Sequence, residues 1–213
     1  MLETTQTEQT DTALDSPRYV VGRYRVHVEA LLPDGLAHGR IIEIIEAPNE
    51  AAYAAVYGAG RAVVTPTEFT FIGGLPGETV DVEARWNLPR PGRKRAKRVP
   101  APQAHVIAVV TSAPDRATPG CPVFGECGGC QLQHMDYAAQ LLWKRERVLA
   151  ALRDAGFGEP PVMPAIGCES PWGYRNHMRF SVNREGQPGL TARGSHRVLP
   201  LTACPLAHPR IND

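Results

Sequence analysis

Between Tyr19 and Val110 the chain alternates apolar and polar residues in short runs, broken by glycine and proline. Arg25-Val-His-Val-Glu alternates strictly, the period-two pattern of a strand with one buried face. His38 to Glu46 is a second extended run, rich in isoleucine. Glu68-Phe-Thr-Phe-Ile is a third, closed by Gly73 and Gly74. Leu75-Pro-Gly-Glu78 reads as a turn, Thr79 to Trp86 alternates again, and Ala104 to Val110 makes a fifth strand. Five short strands with this punctuation predict a small closed barrel over residues 19–112. The alanine-rich stretch 47–66 interrupts it as an insertion without a clear assignment.

The period changes in the second half. Asp136 is placed to cap a helix whose apolar face is Leu141, Leu142, Val148, Leu149 and Leu152. Lys144, Arg145 and Arg147 lie on or beside its polar side, and Gly156 is a natural stop. After Pro171 the chain turns extended again, at 175–182 and 190–199, with a turn between. Residues 111–120 read as a linker, and 113–213 as a second, α+β region. Residues 1–18, polar and acidic, predict a disordered tail.

Composition narrows the classes. With 213 residues and 43% hydrophobic content, a packed core is within reach. No apolar run approaches the roughly 20 residues of a membrane span. The N-terminus lacks the basic start and apolar stretch of a signal peptide, so a cytoplasmic, non-membrane, monomeric protein is expected. The net charge of +1 is uninformative, but its distribution is not. Residues 90–98 carry six bases and no acid. Such a block is either a solvated loop or a phosphate-contacting one, in which case Arg93, Lys94, Arg95, Lys97 and Arg98 are the candidate RNA-binding residues.

The chemistry concentrates in Cys121-Pro-Val-Phe-Gly-Glu-Cys127-Gly-Gly-Cys130. Five cysteines without an export signal argue for reduced thiols rather than a disulfide framework. Three thiols in ten residues can hold a soft metal centre, although buried cysteines also serve as small apolar side chains. A [4Fe–4S] cluster needs four thiolates, and the fourth is either Cys168 or Cys204. Zinc held by Cys121, Cys127, Cys130 and His134 is the rival, within a non-enzymatic RNA-binding module. No glycine-rich phosphate loop and no metalloprotease histidine spacing is present, so the residues identify no catalytic group and no nucleotide-cofactor site.

The segment from Cys121 to His134, followed by Tyr137-Ala-Ala-Gln140 and Lys144, resembles the iron–sulfur segment of the RNA (uracil-5-)-methyltransferase family. Gly-Leu-Pro-Gly-Glu78 resembles a turn of the TRAM domain, the small OB-like RNA-binding barrel of rRNA-directed members. Tyr174-Arg-Asn-His-Met-Arg-Phe180 resembles the family's Tyr-Arg-Asn-Lys-Met segment, and Cys204-Pro-Leu the segment of the fourth cluster ligand. The resemblance implies a [4Fe–4S] cluster on Cys121, Cys127, Cys130 and Cys204, with 23S rRNA as the partner. It also implies a parent enzyme that methylates C5 of uridine with S-adenosylmethionine, through a nucleophilic cysteine and a base. Those parts belong to a Rossmann-like domain absent from these residues, so the chain is expected to be the N-terminal part of such an enzyme. A radical methylthiotransferase also pairs a TRAM domain with a cluster, but requires C-x3-C-x2-C ahead of the barrel. Here C-x5-C-x2-C stands behind it.

Overall fold

The computed structural model describes residues 19–49, 51, 66–87 and 102–213. The tail at 1–18, most of the insertion at 47–66 and the basic run at 90–98 lie outside the described residues.

Five antiparallel strands form the first sheet: β1 (Tyr19–Leu31), β2 (Ala37–Glu46), β3 (Glu68–Phe71), β4 (Thr79–Asn87) and β5 (Gln103–Thr111). Their order is β3-β2-β1-β4-β5. The alternation read from the sequence is the burial pattern. Tyr24, Val26 and Val28 of β1 face Val80, Val82, Ala84 and Trp86 of β4 in one core, with Phe69 and Phe71 of β3. Tyr24 meets Phe69 edge-on, with ring centroids 5.0 Å apart. The opposite face carries charge. Arg23 sits between Glu83 and Glu46, and Arg25 between Asp81 and Glu43, in the cross-strand register of β4, β1 and β2.

The sheet is not the closed barrel expected. β3 has only four residues and pairs with Ala37–Arg40, so the distal half of β2 runs on past it. The two edges, β3 and β5, meet at a single bridge between Ile72 and His105. Without a longer β3 the ladder cannot be completed, and Ile42, Ile44 and Ile45 of β2 remain exposed.

The predicted linker is a pinned segment. Glu78 is fully buried and accepts N–H bonds from Leu75 (2.8 Å) and Ala113 (3.1 Å). Arg116 donates to both of its carboxylate oxygens, at 2.6 and 3.0 Å, and to the carbonyl of Gly73 at 2.6 Å. A buried carboxylate is tolerated only when its charge and lone pairs are satisfied in this way. Arg116 also pairs with Met135, so the stretch after β5 is stitched to the approach of the next helix.

That helix, α1 (Tyr137–Asp154), is capped by the Asp136 side chain on the Ala138 N–H. Gly156 ends it at φ +87°, with Gly156 N–H bonded to Arg153 and Phe157 N–H to Leu152. This is a Schellman stop, whose left-handed residue favours glycine. The anticipated apolar face is only partly used: Leu149 is buried, whereas Leu142 and Val148 are exposed.

A second sheet of three short strands follows, β6 (Ser181–Val182), β7 (Pro188–Thr191) and β8 (Val198–Pro200), in the order β6-β7-β8. Of the extended runs expected at 175–182 and 190–199, only 181–182, 190–191 and 198–199 are strand, and 193–196 turns between β7 and β8. The Ala192 N–H bonds to the Arg197 carbonyl and closes a hairpin between β7 and β8. A four-residue helix, α2 (Pro209–Asn212), ends the described chain.

Candidate metal centre

Three separate segments converge beside the small sheet. The loop bearing Cys121, Cys127 and Cys130 is tied to the end of β7: Gly128 N–H bonds to Thr191, and Arg193 N–H bonds to Glu126. Cys127 is buried against Ala192 and Leu199, with Val123 and Leu190 around them. The Cys204 loop docks elsewhere. The Asn212 side chain accepts from the Cys204 N–H at 2.9 Å and donates to its carbonyl at 3.2 Å. Gly173 and Arg175 donate backbone N–H bonds to Pro205 and Leu206, completing that anchor.

The result is one cavity of about 30 Å3 onto which Cys121, Cys127, Cys130 and Cys204 all face. The rest of the wall is largely apolar, with Val123, Phe124, Met178, Leu190 and Leu201, and contains no carboxylate and no histidine. Among the described residues, no three His, Cys, Asp or Glu side chains converge closely enough to hold one metal ion. The thiols stand around a hollow rather than on a single point. Burial raises the Cys130 thiol pKa, the neighbouring Gln133 side chain works against the rise, and the sulfurs of Cys127, Cys204 and Cys121 add to it. That mutual influence places all four sulfurs in one electrostatic neighbourhood.

The other two candidate ligands are turned away. Cys168 is exposed, and its thiol donates to the Ser170 carbonyl at 3.0 Å. His134 is 1% exposed and donates through Nε2 to the Gly74 carbonyl at 3.2 Å. Desolvation, and secondarily the charge of Arg116, lower its pKa and keep the ring neutral. It stacks on Phe124, with centroids 5.4 Å apart, and does not line the cavity. The Cys121, Cys127, Cys130 and His134 set considered for zinc is therefore not brought together.

The hollow has the donors an iron–sulfur cluster requires: four thiols, an apolar surround, and ligands anchored by backbone bonds in separate segments. A group whose metals each take one thiolate suits sulfurs spread around a space rather than crowded on a point.

A larger groove of about 700 Å3 shares Gly129, Arg175, Met178 and Leu190 with this cavity. Its walls carry Arg175, Arg179 and Arg193, with His177 and His196 and no acid among them. Arg175, His177 and Arg179 fall in the Tyr174–Phe180 segment noted in the sequence, but the sequence assigned none of these residues to RNA contact. Two Arg/His clusters, at 175–179 and 193–197, are visible there, but nothing in their spacing reveals that both come to line one groove.

No family model matches the chain. It is 36% identical over 165 residues to an uncharacterized RNA methyltransferase of Gloeobacter violaceus, covering 73% of this chain and 33% of that protein. It is 45% identical over 105 residues to one of a Nostoc species, covering 47% of this chain and 23% of that protein. A third, from Halalkalibacterium halodurans, is 37% identical over 147 residues, covering 66% of this chain and 30% of that protein. The chain thus spans about a third or less of the length of these curated relatives.

Proposed function

We propose that these residues are the N-terminal, RNA-binding and iron–sulfur part of an S-adenosylmethionine-dependent RNA (uracil-5-)-methyltransferase. The observation that carries this reading is the convergence of Cys121, Cys127, Cys130 and the distant Cys204 on one apolar hollow. Relatives named as RNA methyltransferases supply the class of parent reaction. The antiparallel sheet ahead of the cysteine region, in its resemblance to a TRAM domain, supports 23S rRNA as the target.

In this reading the cluster, when bound, supplies coordination bonds that hold distant segments together. The chain's own residues do the rest. Asn212 holds the Cys204 loop, and the β7 end holds the loop of the other three thiols. Arg175, Arg179 and Arg193 turn positive charge toward a strand of RNA in the adjoining groove. Methyl transfer, with its S-adenosylmethionine site and nucleophile, is assigned to the part of the relatives' length that this chain does not span.

The test is metal content after anaerobic purification. About four irons and four labile sulfides per chain are expected, as this cluster type requires. Cys204→Ser should lose them and Cys168→Ser should keep them. Stoichiometric zinc without iron would overturn the reading.

A further inference from the structure

Gln133 stands behind the cysteine loop and is half-buried on the wall of the cavity. Its Oε1 accepts the backbone N–H of Cys121 at 3.1 Å. With that oxygen held, the orientation of the amide is set and its Nε2 is directed elsewhere. Nε2 is buried and meets no acceptor in hydrogen-bonding geometry. A buried amide N–H without a partner is costly, so it needs an explanation. The cavity whose wall Gln133 shares carries the thiols of Cys121, Cys127, Cys130 and Cys204. A neutral thiol is a weak acceptor. A thiolate bound to a metal keeps negative charge on sulfur and accepts N–H bonds well.

We infer that Gln133 is the positioning residue of the metal centre, with Oε1 fixing Cys121 and Nε2–H donating to a sulfur of the bound centre. The inference rests on the iron–sulfur reading above. Its consequence is electronic as well as structural. Hydrogen bonds to cluster sulfurs stabilise the more negative, reduced state and raise the reduction potential. Arg193, whose Nη2 donates to the Cys130 carbonyl at 2.8 Å, holds the backbone of the neighbouring cysteine.

The experiment uses the 213-residue chain, loaded with cluster under anaerobic conditions. Gln133→Met removes both halves of the amide. Gln133→Glu keeps an oxygen for the Cys121 N–H but loses the donor. Reduction of the cluster, followed by its visible absorption, is expected to become about tenfold less favourable in both, a downward shift of about 59 mV for a one-electron couple. Pulsed electron resonance of the reduced cluster in deuterated water should show one exchangeable deuteron coupling fewer in Gln133→Met than in the parent. A parent-like potential in Gln133→Glu, or an unchanged coupling in Gln133→Met, would leave the side chain as an anchor only and overturn the inference while the cluster stands. If the parent chain binds no iron, the cluster reading and this inference fall together. Should Gln133→Met not fold, Gln133→Glu decides alone through its potential and coupling.

Discussion

At the scale of single residues, the consequential groups are buried and polar. His134 is neutral in the fold because burial lowers its pKa. The sign of the pH effect follows from that direction. The unfolded chain takes up a proton near the ordinary histidine value of about 6.5 while the folded chain does not, so stability is present above that pH. It is lost as pH falls through the lowered folded value. His105, lowered first by burial and then by the charge of Arg85, adds a component of the same sign. His134→Gln, which can still donate to Gly74, should therefore show a smaller fall in melting temperature than the parent between about pH 7 and pH 5. Equal falls would mean that His134 titrates alike in both states. Arg116 offers a sharper case. Its loss leaves the fully buried Glu78 carboxylate without its counter-charge. Arg116→Met should cost about 3–5 kcal/mol in denaturant unfolding, the range for breaking a buried pair. A loss under about 1 kcal/mol would put the pair in the class of exposed salt bridges.

At the scale of elements, the thin sheet beside the cavity is the sensitive part. Gly189 in β7 lies so close to β8 that an added Cβ would clash with the Leu199 backbone carbonyl. No rotamer change relieves a clash with backbone. Gly189→Ala should push β7 from β8 and loosen the end of β7 on which Gly128 and Arg193 fasten the cysteine loop. Hydrogen exchange at Gly128 and Arg193 should accelerate at least about tenfold, one 1.4 kcal/mol step in opening free energy, with β1 and β4 unaffected. Unchanged exchange at those two amides would show that the loop does not depend on the β7–β8 pairing. The first sheet has more in reserve, since β1 alone pairs along its length with both β2 and β4.

At the scale of the whole molecule, two basic features compete for the RNA role. One is the groove with Arg175, Arg179 and Arg193. The other is the run containing Arg93, Lys94, Arg95, Lys97 and Arg98, which lies outside the described residues. Single-stranded RNA bound by this chain should lose affinity with salt, by a slope of about 0.7 per phosphate neutralised. Arg179→Gln should lower that slope by about one such contact, and glutamine at all five positions of the run by several. A slope that ignores Arg179→Gln would remove the groove from the interface. A slope that ignores the five-fold replacement would make the run a solvated loop. Among the described residues, no helix is long and apolar enough to cross a membrane.

The strands of the first sheet, the Asp136 cap and the Gly156 stop were legible in the sequence, because each rests on local rules. Alternation follows from the pleat, a cap from one side chain and two backbone positions, and a helix stop from glycine's freedom at positive φ. The cysteines announced themselves by spacing, but their partner did not. Cys168 and Cys204 were equal candidates by chemistry, and Cys204 shares the cavity only because Asn212 and the 173–175 backbone dock its loop there. Barrel closure failed for a non-local reason as well: β3 is too short to line the distal half of β2, and strand length at an edge is decided by pairing rather than by propensity. The Glu78–Arg116 pair joins residues 38 positions apart and turned a supposed linker into a fixed joint. The basic groove likewise exists only where two clusters separated in sequence, at 175–179 and 193–196, come to line one hollow. Local conformation is written residue by residue, whereas which distant side chains share a site depends on the packing of every segment between them.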